Sequence, residues 1–309
     1  MAANRERIGF IGLGIMGMPM AKHIAGAGFP LSVYDNRKEA LGSLAADRRI
    51  SVADSPKAIA VKSDIVVTML PTSREVDAVV FGAGGLIEGL APGKLLLDTS
   101  SSDPSQTRKL AARLATQGIA MVDAPVSGAE AGAIAAELVF MVGGKTEAVQ
   151  RVIPVLEVLG KKIFHLGEVG AGHAMKCINN LITSITFMAT AEGLILGKAY
   201  GLDPAVMNDV LNESTGMSWI SRTHIEQRII SRRFDDPFKF DLMLKDIDTA
   251  RHLTEALHLE LPLSATAQSL WRGIQAKIPK GSSVSELVRA LENSTGVEIV
   301  PPGAPPAEQ

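Results

Sequence analysis

What the chain lacks narrows its class first. Its 309 residues include one cysteine, Cys177, so no disulfide can form within the chain, and a reducing compartment, the cytoplasm, is the expected location. It carries no excess of either charge: 31 basic residues stand against 33 acidic ones, a formal net charge of −2. Nucleic acid and anionic membrane both call for a basic surface, so neither is an expected partner. The six histidines, at 23, 165, 173, 224, 252 and 258, show no metal-ligand spacing with one another or with Cys177, and no metal is expected. No internal repeat of solenoid period is present. In MAANRERIGFIGLG two arginines precede only a short apolar run that glycines break, which is not the pattern of a signal peptide. The stretch between Met175 and Ala199 is strongly apolar, with Lys176, Glu192 and Lys198 its only charged residues, but it also holds Asn179, Asn180 and several threonines. Those groups are costly in hydrocarbon, so the expectation is a helix buried on most of its circumference in a soluble fold, not a membrane span.

What is present organises into two halves. Short β-branched-rich runs recur at 7–12, 31–36, 64–71, 94–100, 120–127, 138–144 and 162–167, with helix-length spacers between most of them. This predicts an α/β, Rossmann-type domain over residues 1–167, a mostly parallel sheet covered by helices on both faces. Beyond Gly167 the strand signals stop, and the chain reads as helices broken at GLDP, STG, DDP, LELP and PKGSS. An all-α domain is therefore expected over 168–297, joined by the long apolar helix. The Pro-rich end, 298–309, is expected to be disordered.

GFIGLGIMGMPMA spaces Gly12, Gly14 and Gly17 as G-x-G-x-x-G between a strand and a helix. In that context the loop Gly12, Leu13, Gly14, Ile15, Met16 and Gly17 reads as a dinucleotide site, with the pyrophosphate on the free N–H groups of the helix start. Asp35 closes the second strand, where a carboxylate accepts the adenosine ribose hydroxyls of NAD and repels a 2′-phosphate. Beside Asn36, Arg37 is the opposing signal, since a guanidinium pairs with such a phosphate. NAD is the expected cofactor and NADP the alternative. Met69, Leu70 and Pro71, and the stretch DTSSSDP, fall at carboxyl ends of strands, the edge where open α/β sheets bind ligands.

Four stretches, GFIGLGIMGMPMA, DAPVSGAEAGA, GAGHAMKCINN and FDLMLKD, together resemble the β-hydroxyacid dehydrogenase family, of the 3-hydroxyisobutyrate dehydrogenase and tartronate semialdehyde reductase type, related to 6-phosphogluconate dehydrogenase. The resemblance runs from about residue 7 to about 297. It implies that Lys176 is the catalytic lysine and that Asn180, with Asn179 beside it, holds the substrate. It implies that Ser127, Gly128 and Ala129 form the loop that takes the substrate carboxylate. The family pattern there is Ser-Gly-Gly, so Ala129 is a departure that bears on loop shape. Ser101 matches a threonine near the nicotinamide, and Lys245 a lysine that reaches the cofactor from the helical domain.

The chemistry fits those positions. Hydride transfer to a carbonyl leaves negative charge on oxygen; a cationic Lys176 hydrogen-bonds and protonates it, and the neutral amine takes the hydroxyl proton in the reverse direction. An apolar wall disfavours the charged form of a lysine and so brings it nearer to working pH. Lys176, Asn179 and Asn180 stand at i, i+3 and i+4, on one face of a helix. The expected function is oxidoreduction between NAD(P) and a 3-hydroxycarboxylate/semialdehyde pair. Tartronate semialdehyde reduction, imine reduction and a non-catalytic dinucleotide sensor are the alternatives. The partner is then a small hydroxy acid or semialdehyde. Apolar stripes in the helical half suggest a homodimer or homotetramer.

Overall fold

A computed structural model describes residues 5–42, 44 and 47–301. Strand β1 (Ile8–Ile11) leads through α1 (Gly17–Gly26) to β2 (Leu31–Tyr34), α2 (Lys38–Gly42), β3 (Ile50–Val52), α3 (Pro56–Lys62), β4 (Ile65–Thr68), α4 (Ser73–Phe81) and β5 (Leu95–Asp98). Then come α5 (Pro104–Ala115), β6 (Ala120–Asp123), β7 (Val126–Ser127), α6 (Ala129–Ala135), β8 (Leu138–Gly143), α7 (Thr146–Leu156) and β9 (Gly160–Gly167). The strands form one sheet in the order β3-β2-β1-β4-β5-β6-β8-β7, with β9 also on β8. From β3 to β6 every pairing is parallel, whereas β8 runs antiparallel to β6 and β7.

Successive strand residues point to opposite faces, and here both faces are buried. Ile8, Phe10, Ile65, Val67, Leu95 and Leu97 enter one core, and Ile11, Val66 and Leu96 the other. That is why these runs read as continuous apolar strings. Helix starts are set locally: Ser55, Asp103 and Asp203 each precede a proline and accept a backbone N–H of the first turn. The three-residue edge strand β3 was not expected, because only Ile50 is buried and too few residues carry the alternation. Pro125 splits the expected 120–127 strand into β6 and β7.

The rest of the described chain is helical: α8 (Ala171–Tyr200), α9 (Pro204–Asn212), a π-helix (Ser221–Ile230), α10 (Phe240–Ala256), α11 (Pro262–Gln275) and α12 (Glu286–Thr295). The division into two compact units falls between Lys176 and Cys177, inside α8, whereas the sequence placed it ahead of that helix, at 167/168. The second unit's core gathers Phe187, Ala191 and Leu194 of α8 with Phe240, Leu244 and Ile247 of α10, Trp271 of α11 and Leu287 of α12.

Three expectations are corrected. Helix α8 is not buried on most of its circumference: Ile182, Leu196 and Tyr200 are 56%, 73% and 85% exposed. By length and composition alone it is also the one helix among the described residues long and apolar enough to cross a membrane. The stretch 222–234, whose four arginines would by themselves read as a solvated helix face, is in part tied into the fold. Arg228 pairs with Asp235, and Arg232 pairs at 2.6 Å with Glu292, which is buried. The C-terminal tail is ordered further than 298: Ile299 is fully buried, and its N–H donates to Glu292 Oε1 at 2.7 Å. Residues 302–309 lie outside the described residues.

Candidate active site

The glycine loop joins β1 to α1. Gly12 has φ +100°, and a Cβ there would lie 2.2 Å from Met69 O. A Cβ on Gly17 would lie 1.8 Å from Gly12 O. Both glycines are therefore required by the protein's own packing. Gly14 differs: a Cβ there would meet nothing nearer than Arg37 Nη2 at 3.9 Å. The second glycine of such a loop is where a pyrophosphate would approach the backbone, and here that position is open. Met16, at the N-cap of α1, offers no side-chain cap, and the first turn carries no acidic residue. Helix-start N–H groups without a side-chain acceptor suit a phosphate. Ile15 is exposed, and a cleft of about 800 Å³ opens beside the loop, walled by Leu13, Gly14, Ile15 and Arg37. These features fit a bound dinucleotide.

Asp35 is buried and fully engaged. Its Oδ2 accepts Leu13 N–H at 2.7 Å and Arg37 Nη2 at 3.2 Å; its Oδ1 accepts Arg37 N–H at 2.9 Å and Nε at 3.0 Å. Burial works to raise its pKa, but the Arg37 and Leu13 donors outweigh burial and hold the carboxyl below its ordinary range. The aspartate thus braces the glycine loop, a task the sequence did not disclose. Asn36 beside it is exposed.

Met69, Leu70 and Pro71 follow β4, and Leu70 N–H donates to Ser100 Oγ at 2.9 Å. Ser101 follows β5 and is half-buried. Ser127 ends β7, and Gly128 (φ +130°) and Ala129 (φ +51°) turn the chain into α6. Ala129 thus adopts the left-handed conformation that favours glycine, at a cost of roughly 1 kcal/mol.

Helix α8 carries Lys176, Asn179 and Asn180. Asn179 Nδ2 donates to Asn180 Oδ1 at 3.1 Å, and Asn180 Nδ2 to Asp246 Oδ2 at 2.5 Å. Lys245 Nζ lies 3.1 Å from Asp246 Oδ1. Asp246 thus joins Asn180 to Lys245, a link legible only as the Lys-Asp pair in FDLMLKD. The loop glycines, Asp35–Arg37, Met69–Pro71, Ser101, Ser127–Ala129 and Lys176 belong to the first compact unit, and Asn179, Asn180 and Lys245 to the second. His173, three residues ahead of Lys176, is fully buried. It packs among Asp98, Ser100, Thr107 and Asp123, none of which the sequence reading singled out for a role.

Comparison with known proteins agrees with this fold. Residues 7–167 match the NAD binding domain of 6-phosphogluconate dehydrogenase, and residues 170–291 the model described as NAD-binding of NADP-dependent 3-hydroxyisobutyrate dehydrogenase. A 2-(hydroxymethyl)glutarate dehydrogenase of Eubacterium barkeri is 36% identical, over 95% of this chain and 97% of that one. An NAD-dependent L-serine dehydrogenase of Pseudomonas aeruginosa is 37% identical, over 86% and 91%. The solved structure of Mycobacterium tuberculosis 3-hydroxyisobutyrate dehydrogenase with L-serine superposes with a TM-score of 0.84, at 31% identity over 93% of this chain and 99% of that one. A Rossmann sheet, a dinucleotide loop and these matches define an NAD(P)-dependent hydroxyacid oxidoreductase. Within that class, the chain belongs to the β-hydroxyacid dehydrogenase family.

Proposed function

We propose that this enzyme oxidises the primary alcohol of a 2-substituted 3-hydroxypropionate with NAD, and reduces the semialdehyde in reverse. The relatives' named substrates share that skeleton: the substituent is methyl in 3-hydroxyisobutyrate, amino in serine and carboxyethyl in 2-(hydroxymethyl)glutarate. Glycerate, whose oxidation gives tartronate semialdehyde, is the hydroxy-substituted member.

The observation that carries the reading is the face of α8 on which Lys176 precedes Asn179 and Asn180, with Asn180 anchored to Asp246. The bound nicotinamide supplies the hydride acceptor. Lys176 takes the proton of the substrate hydroxyl in oxidation and returns it in reduction, and its ammonium form holds the negative charge that develops on oxygen. Asn180 keeps hydrogen-bonding capacity beyond its two observed bonds, since an amide has two N–H donors and a carbonyl with two lone pairs. It orients the substrate, and Ser127, Gly128 and Ala129 hold its carboxylate. Gly12 to Gly17, with Met69 to Pro71 and Ser101, hold the dinucleotide, and Lys245 reaches it. NAD is favoured over NADP because Arg37 is committed to Asp35, and the carboxylate repels a 2′-phosphate. The exposed apolar residues Leu196 and Tyr200 of α8, with Val206 and Val210 of α9, support a homodimer or homotetramer. The compartment is the cytoplasm.

A panel tests the substrate class: 3-hydroxyisobutyrate, L-serine, glycerate and 2-(hydroxymethyl)glutarate against 3-hydroxybutyrate, each with NAD and NADP. Turnover of the primary alcohols with NAD is expected. Preference for 3-hydroxybutyrate, a secondary alcohol without a 2-substituent, would overturn the assignment.

A further inference from the structure

Helix α8 begins with Ala171 and Gly172, neither of which has a side chain able to cap its free N–H groups. The cap comes from elsewhere. Asp123, at the carboxyl end of β6, accepts Gly170 N–H on Oδ1 at 2.7 Å and His173 N–H on Oδ2 at 2.8 Å. Burial raises the pKa of this carboxyl, while the neighbouring His173 ring and the two N–H donors work against the rise.

The His173 ring completes the joint. Its Nε2 lies 3.0 Å from Ser100 O, which can only accept, so Nε2 carries a proton. Its Nδ1 lies 2.8 Å from Thr107 Oγ1 on α5. Asp98 Oδ2 stands 3.8 Å from Nε2, and Asp123 Oδ2 3.7 Å from Nδ1. Asp98 is fixed in turn, accepting Thr68 Oγ1 at 2.9 Å, Ser102 Oγ at 3.0 Å and Ser100 N–H at 3.1 Å. The ring has no exposed surface, so it touches neither solvent nor substrate. It ties the ends of β5, β6 and α5 to the first turn of α8. Lys176 follows three residues later, at the spacing that places two side chains on neighbouring parts of one helical face.

We propose that His173 is a positioning residue: it fixes the start of α8, and through it the place from which Lys176 reaches the reacting oxygen. The inference rests on the acid–base role proposed for Lys176. A buried histidine with both ring nitrogens engaged holds the helix against rotation as well as translation. A displacement of about 1 Å in a proton-transferring group can cost on the order of 100-fold in turnover.

The test uses the full-length enzyme and the panel's best substrate. His173→Leu removes both ring contacts, Thr107→Val replaces one hydroxyl by a methyl, and His173→Gln keeps an amide N–H in reach of Ser100 O. Lys176→Ala is measured in parallel. For each, kcat, KM, dinucleotide Kd and Tm are read. The expected result is a kcat lowered about 10- to 100-fold in His173→Leu and Thr107→Val with dinucleotide Kd within about twofold of wild type, and substantial recovery in His173→Gln. Wild-type kcat in the His173 and Thr107 variants, with Lys176→Ala inactive, would overturn the positioning role alone. So would a parallel fall of kcat, dinucleotide affinity and Tm in every variant. Undiminished turnover in Lys176→Ala would remove the premise as well. If His173→Leu does not fold, Thr107→Val decides.

Discussion

Two glycines of the same loop should fail in opposite ways when each is replaced by alanine. A methyl at position 17 would lie 1.8 Å from Gly12 O, so α1 and the β1 turn must move apart. Overpacking of this kind costs about 1–3 kcal/mol, and at about 2–4 °C per kcal/mol the apo-protein Tm should fall by roughly 2–12 °C. A methyl at position 14 meets its nearest neighbour, Arg37 Nη2, at 3.9 Å, an ordinary contact. Gly14→Ala should therefore leave Tm unchanged or raise it slightly, because alanine restricts the unfolded chain, by about 0.4–1 kcal/mol. If that open space takes the pyrophosphate, as proposed, the same methyl occupies it and NADH affinity should fall at least about tenfold, or 1.4 kcal/mol. Differential scanning fluorimetry without cofactor and NADH fluorescence titration read the two effects. Equal Tm losses in both variants, or unchanged NADH binding in Gly14→Ala, would refute the assignment of open space at Gly14 to the dinucleotide.

Two further perturbations follow from local geometry. Ala129→Gly should relieve the left-handed φ of +51° and raise stability by about 1 kcal/mol in urea unfolding, with the substrate KM little changed. Asp64 is held at about 2, below its ordinary 3.8, first by the Arg7 side chain, which donates to it at 2.6 and 3.0 Å. Because this pKa is depressed in the fold, its contribution is present above the unfolded value and is lost as pH falls through the folded one. Asp64→Asn should cost about 1 kcal/mol at neutral pH, discounted for the half-exposed Arg7, and the gap to wild type should close as the pH falls from 3.8 towards about 2.

Much of this molecule is local and so was readable in advance. The β1 and β4 runs, the helix breaks at GLDP and LELP and the G-x-G-x-x-G turn each lie within a dozen or so residues, and each appears where the pattern placed it. What escaped is non-local. His173, Thr107, Asp98 and Asp123 are scattered over four elements, and no periodicity links them; the aspartates lie inside the predicted runs 94–100 and 120–127 and close strands only in the structure. Asp35 was legible as a strand-end carboxylate, but its bond to Leu13 N–H requires two chain segments to be seen together. The exposure of α8 was misjudged for a related reason: apolar composition signals that a helix seeks cover, but not whether its own chain supplies it.

The account stands most directly on Lys176. In Lys176→Ala, steady-state kcat on the preferred hydroxy acid should fall by about 10²–10⁴-fold with NADH Kd essentially unchanged, and added methylamine should restore part of the rate. Wild-type kcat in that variant would contradict it.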